Sequence, residues 1–235
     1  MGEASHPFLD VCGHRLEVQT ISGLATRPTL VLLHEGLGSI STWREFPSQV
    51  AAATECPVVV YSRYGYGNSD LLAAPFQVDY MHREALEALP ELLAKLGIVE
   101  PILVGHSDGA SIALIYAGAR DAVRGLALLA PHVLVEDLSV KSIAEAKIAF
   151  ETTDLPEKLG RHHADPRKTF YGWNDIWLHP DFRRWNIESY LAGIAVPVLL
   201  IQGEDDQYGT VAQVDAIARQ VSGPVETLLL PDCAH

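Results

Sequence analysis

Short apolar runs, recurring between stretches of helical spacing, constrain this chain more than any other feature. The runs are Thr29–Leu33, Val58–Tyr61, Ile102–Val104, Gly125–Leu129, Val198–Ile201 and Glu226–Leu230. They are too short for helices and lack polar alternation, which is the pattern of strands buried on both faces. Between several of them lie amphipathic stretches. Met81–Leu96 places apolar side chains at 81, 85, 86, 89, 92, 93 and 96, close to a 3.6-residue period, and Ser107–Ala119 and Val211–Gln220 are similar. Strand, helix, strand in this order implies parallel strands, right-handed crossovers and helices on both faces, a three-layer α/β sandwich. Phe8–Cys12 and Arg15–Ile21 read as an opening hairpin with Gly13 at the turn.

One interval breaks the alternation. Between Val133 and Ala195 there is no β-rich run, but there are helix-like pieces at Ser139–Glu151, Pro156–His163, Pro166–Leu178 and Pro180–Leu191. The expected division is a core of residues 1–132 and 196–235 interrupted by a helical cap of residues 133–195. The later half of the cap carries Phe170, Tyr171, Trp173, Trp177, Phe182, Trp185 and Tyr190. Any one of these aromatics is accounted for by packing; together over a sheet edge they are expected to wall an apolar pocket.

Composition removes several function classes. A net charge of −13 argues against nucleic acid as a partner, because neutralising phosphates needs a basic face. No apolar run approaches the ~18 residues of a membrane span. Cys12, Cys56 and Cys233 are odd in number and far apart, so neither a disulfide framework nor a zinc site is expected, and a cytoplasmic location fits. Met1–His6 shows no signal-peptide pattern. The oligomeric state is not legible.

The chemistry centres on Gly105-His106-Ser107-Asp108-Gly109, which follows the run Ile102–Val104 and opens the helical stretch Ala110–Ala119. G-x-S-x-G between strand and helix holds the serine on a sharp, strained turn with its hydroxyl exposed near a helix N-terminus. A serine hydroxyl needs a base, and the base needs an orienting acid. His235 is the one histidine beyond the last strand, and is expected to be the base; alone it would be an ordinary terminal histidine. The acid comes from Gly203-Glu204-Asp205-Asp206, where Asp206 is favoured over Asp205 and Glu204. Two N–H donors must face the developing oxyanion. They are expected from Asp108 and from the loop His34-Glu35-Gly36-Leu37-Gly38-Ser39, with Gly36 first, then Leu37 and Glu35. Leu37, His106, Trp173 and Trp177 are the expected pocket residues.

These segments, with Ser62-Arg63-Tyr64-Gly65-Tyr66-Gly67-Asn68-Ser69-Asp70 and Asp232-Cys233-Ala234-His235, resemble the α/β-hydrolase fold superfamily from about residue 8 to the end. The resemblance implies a mostly parallel eight-stranded sheet with a helical cap after the sixth strand. It also implies ester-type hydrolysis through Ser107, His235 and Asp206, with no metal or organic cofactor. The chain departs from it in having Glu35 where many relatives have glycine. It also ends on His235 where relatives continue into a helix, so a shortened form is expected, less active than one extended through that helix. Equal turnover of a model ester by both forms would refute this.

The expected function is a serine hydrolase of carboxylesterase type, acting on a small apolar or aromatic ester through an acyl-enzyme. One alternative is a carbon–carbon bond hydrolase of aromatic breakdown products, which would want a cationic or polar clamp for a carboxylate, with Arg63, Arg183 and Arg184 as the candidates. Another is a slow or non-catalytic small-molecule receptor on the same fold, distinguished by ligand binding that survives Ser107→Ala with negligible turnover. A dinucleotide fingerprint fails because position 41 is Ser, and a zinc-hydrolase motif fails because position 38 is Gly. His162 and His163 would point about 100° apart on a helix and read as surface residues rather than metal ligands.

Overall fold

The structure, a computed structural model, describes residues 7–120 and 122–235; the leader reading of Met1–His6 lies outside the described residues. Eight strands form one sheet: β1 (Phe8–Val11), β2 (His14–Ile21), β3 (Leu30–Leu33), β4 (Val58–Tyr61), β5 (Ile102–His106), β6 (Gly125–Leu129), β7 (Val198–Gly203) and β8 (Val225–Leu230). Their spatial order is β1-β2-β4-β3-β5-β6-β7-β8. The β1–β2 and β2–β4 pairs are antiparallel, and the pairs from β4–β3 through β7–β8 are parallel.

The unbroken apolar strands follow from burial on two sides. In β3, Val31 and Leu33 join the larger core, whereas Leu30 and Leu32 join a smaller one on the opposite face. Helix α1 (Phe46–Thr54) contributes Ala51 to the smaller core. The larger core takes α2 (Tyr80–Arg83), α3 (Leu89–Lys95), α4 (Asp108–Ala119) and, later in the chain, the helix Val211–Gln220. Residues Asp108 to Ala117 of α4 are buried on every side, which explains its lack of a polar face.

The stretch read as one regular helix over 81–96 contains a π-turn, Glu84–Ala88, between α2 and α3. Pro90 has no N–H to give the Leu86 carbonyl four residues back. Arg120 Nη2 donates to that carbonyl instead, at 3.3 Å.

Between β6 and β7 lie α5 (Asp137–Thr152), α6 (Leu155–Leu159), α7 (Pro166–Trp177) and two short 3₁₀ turns, Phe182–Arg184 and Glu188–Gly193. The expected fourth helix, Pro180–Leu191, is therefore not formed. Trp185 is extended, Asn186 bridges to Leu134, and Ile187 N–H donates to the Val133 carbonyl. Anchoring Trp185 and Ile187 in the core by this strand-like step outweighs helical continuation. After β7 comes α8 (Val211–Gln220), amphipathic with Val214 and Ile217 inward. Among the described residues no helix is long and apolar enough to cross a membrane.

Candidate active site

Ser107 sits between β5 and α4 with φ +52° and ψ −116°, a conformation that L-residues keep only where surrounding structure enforces it. Two close approaches enforce it here. A Cβ at Gly105 would press on the backbone of Gly109 and Ala110, and one at Gly109 on the Leu33 carbonyl of β3. The Ser107 N–H donates to the Leu129 carbonyl at 2.9 Å, and its own carbonyl starts α4 by accepting from Ala110 N–H. The hydroxyl caps nothing on the helix.

His235 and Asp206 are brought together from two strand ends. Nδ1 of His235 lies 2.8 and 3.0 Å from the two carboxylate oxygens of Asp206. Asp206 also accepts from Tyr208 N–H at 2.7 Å, Gly209 N–H at 3.2 Å and Gln202 Nε2 at 2.8 Å. Burial alone would raise its pKa; the bond and charge of His235 and the two backbone donors hold the carboxyl below its ordinary range. Glu204 and Asp205 are exposed. With Nδ1–H engaged by a carboxylate, Nε2 of His235 carries the free lone pair. The ring is flanked by His106, His132 and Tyr208, with centroids 5.0, 5.8 and 4.9 Å away.

Ser107, Asp108 and His235 line one cavity of about 110 Å³ with Gly36, Leu37, Trp173 and Trp177. No hydrogen bond joins the Ser107 hydroxyl to His235 among the described residues; both side chains face the same cavity. His106, expected in the pocket, does not line it. Its ring is turned to the Glu35 carboxylate, 3.7 Å away, and to Trp43. The His106 and His34 rings outweigh burial and hold the Glu35 carboxyl down at about 2.

The loop after β3 is fixed from beneath. The Glu35 carbonyl accepts from His34 Nδ1 at 2.7 Å, Arg63 Nη2 at 2.9 Å and Gly38 N–H at 3.1 Å. In a trans peptide the N–H points opposite to the carbonyl, so the Gly36 N–H faces away from Arg63. Arg63 N–H donates to His34 Nε2, which assigns the proton of that buried ring to Nδ1; burial and Arg63 keep the ring neutral. Arg63 also stands 3.9 Å from the buried Asp108 carboxylate, which accepts from Tyr80 Oη at 2.6 Å; Trp177 Nε1 in turn donates to Tyr80 Oη at 3.1 Å. His163 is buried, not on the surface as expected. It accepts from Gly67 N–H and donates to the Leu37 carbonyl, bracing the same loop.

Sequence reasoning missed His132, Tyr208, Ser139 and Ile143, all in the cavity wall. His132 lies three residues past Leu129, the end of β6, a position beyond a strand's carboxyl end that could have been singled out. Ser139 and Ile143 are one helical turn apart on α5. Burial and the nearby His235 push the His132 pKa down to about 3, so the ring is neutral. Arg183 and Arg184 pair with Asp137 and Asp181 at the surface. Among the described residues no group of three or more His, Cys, Asp or Glu side chains is placed to hold a metal.

A mostly parallel sheet of this order, turning sharply at a strained serine after β5, defines the class of α/β hydrolases. Residues 30–235 match the model of the Alpha/beta hydrolase family, and the chain belongs to that family. It is similar to lipase LipV of Mycobacterium tuberculosis, 32% identical over 123 residues, which are 52% of this chain and 43% of that protein. It is also similar to the proline iminopeptidase of Lactobacillus delbrueckii subsp. lactis, 35% identical over 97 residues, 41% of this chain and 33% of the relative. The matched stretches thus span less than half the length of either curated relative. The crystal structure of the enol-lactonase from Burkholderia xenovorans LB400 shares the fold, with a TM-score of 0.72 at 20% identity over 95% of this chain and 91% of that one.

Proposed function

We propose that this hydrolase is a serine esterase of carboxylesterase type that acts on small apolar or aromatic esters. The observation that carries the reading is the two-oxygen contact of Asp206 with His235 Nδ1, beside a strained Ser107 that lines the same cavity. Ser107 attacks the ester carbonyl as His235 Nε2 takes its proton, and Asp206 holds the tautomer that makes Nε2 the acceptor. The N–H groups of Gly36 and Asp108 receive the oxyanion. Collapse expels the alcohol with the proton from His235, and water then repeats the attack on the acyl-enzyme. Residues 133–195 act as a cap: α5 and α7 supply Ser139, Ile143, Trp173 and Trp177 to the cavity wall.

The curated lipase relative and the apolar cavity wall support an ester over a nucleic acid or a polymer. The carbon–carbon alternative is less well supported, because none of its candidate cationic clamps, Arg63, Arg183 or Arg184, lines the cavity. The unpaired cysteines agree with a cytoplasmic setting. Hydrolysis of p-nitrophenyl acetate and butyrate tests the reading. Turnover is expected, and Ser107→Ala is expected to abolish it; equal turnover by Ser107→Ala would overturn the assignment.

A further inference from the structure

A second cavity, of about 320 Å³, lies outside the candidate active site and shares none of its lining residues. It is within the size range of small-molecule sites. Its floor is formed by Leu16, Arg63 and Tyr66, and its mouth by the loop carrying Ala73 and Ala74. Tyr80 belongs to its wall and donates to Asp108, a residue of the other cavity, so this hydrogen bond is part of the partition between them.

Two features point to a ligand. The π-turn Glu84–Ala88 delivers Glu84, Glu87 and Ala88 to this wall, and such turns are rare and concentrate at functional sites. The charges of the lining also fail to balance. Arg83 pairs with Glu87 at 3.5 Å, and Arg63 is matched by Asp108 at 3.9 Å. Among the described residues no cation lies within salt-bridge distance of Glu84 or Asp79. Tyr61 Oη donates to Glu84 Oε1 at 2.7 Å, which leaves Oε2 without a partner among the described residues. Burial pushes the Glu84 carboxyl above its ordinary range while Arg63 and Tyr61 pull it back; a cation at Oε2 would relieve the remaining penalty. Tyr66, Phe76 and Tyr80 form a continuous aromatic wall, with neighbouring centroids 6.1 and 4.9 Å apart. Aromatic surface with a carboxylate is the chemistry that recognises organic cations, and a net charge of −13 attracts them.

We propose that this cavity binds a small organic cation on an apolar body, an amine whose ammonium group pairs with Glu84 and whose substituent packs on Tyr66, Phe76 and Tyr80. The test uses phenethylammonium and, as an anion of similar shape, 3-phenylpropionate, titrated into methyl-labelled protein. Leu16 and Leu72 report this cavity and Ile143 the candidate active site. Phenethylammonium is expected to shift the Leu16 and Leu72 methyls saturably, leave Ile143 in place, and bind at least about tenfold more tightly than the anion. Glu84→Gln keeps an acceptor for Tyr61 and is expected to weaken the amine by about tenfold or more. Ala74→Trp, at an exposed loop position, is expected to block binding without altering ester hydrolysis. Absence of a saturable shift at Leu16 and Leu72, equal affinity for the two probes, undiminished affinity in Glu84→Gln, or shifts centred on Ile143 would each overturn the proposal.

Discussion

Asp206→Asn tests the proposed mechanism at one atom. Oδ1 of Asp206 accepts from the backbone N–H groups of Tyr208 and Gly209, whereas Oδ2 faces Gln202 Nε2 and His235 Nδ1, both at 2.8 Å. An amide NH₂ at Oδ1 would confront two fixed backbone donors, whereas at Oδ2 the Gln202 amide can turn to offer its otherwise unpartnered Oε1, so the asparagine oxygen stays at Oδ1 and the NH₂ takes the Oδ2 position. His235 then accepts at Nδ1 and carries its proton on Nε2, the atom that must receive the proton of Ser107. The expected loss in kcat is on the order of 10⁴, or about 5 kcal/mol of transition-state stabilisation. KM is expected to change little, because Asp206 is buried and does not line the substrate cavity. Steady-state hydrolysis of p-nitrophenyl acetate measures the loss, and thermal melting checks that the fold persists. A kcat within tenfold of the parent, in a folded variant, would remove Asp206 from the proposed mechanism.

Gly36→Ala drives a methyl group into the Trp173 indole; kcat is expected to fall on the order of a hundredfold, with part recovered when Trp173→Phe is added. Arg63→Met strands the buried Asp108 carboxylate, and urea denaturation is expected to show a loss of about 3–5 kcal/mol, reduced when Asp108→Asn accompanies it. Acid should destabilise the fold through His132 and His34, which it keeps neutral. The unfolded chain protonates both below about pH 6.5, so their contribution is complete above that pH and declines as pH falls toward the folded His132 value of about 3. Melting temperature against pH measures this, and His132→Gln is expected to flatten the acid limb.

The central strands were legible because they are buried on two sides and so carry an uninterrupted apolar signature, as Leu30–Leu33 and Val58–Tyr61 do. Ser107 was legible because its turn needs glycine at 105 and 109. The 3₁₀ turns at Phe182 and Glu188 were not, because the interruption depends on Asn186 meeting Leu134, about fifty residues away in sequence. His132 was hidden for a related reason. Its neighbours His235 and Trp177 come from other loops and helices, and no local spacing announces such a meeting. His106 misled because adjacency to Ser107 says nothing about direction: its imidazole is drawn to Glu35, a partner contributed by β3's loop.

Arg63 shows how such long-range contacts unite stability and chemistry. A buried guanidinium is costly, and its Nε and Nη1 find no hydrogen-bond partner among the described residues. Its Nη2, however, fixes the Glu35 carbonyl and stands beside Asp108. It thereby bears on both peptide units whose N–H groups the proposed mechanism uses, one after β3 and one after β5. Replacing Arg63 and Asp108 together by apolar residues would relieve the desolvation cost of the pair and release the Glu35–Gly36 peptide from one of its three donors. Retaining the ion pair therefore exchanges some stability for the orientation of the proposed oxyanion donors before the substrate arrives, which is where preorganised donors act most strongly.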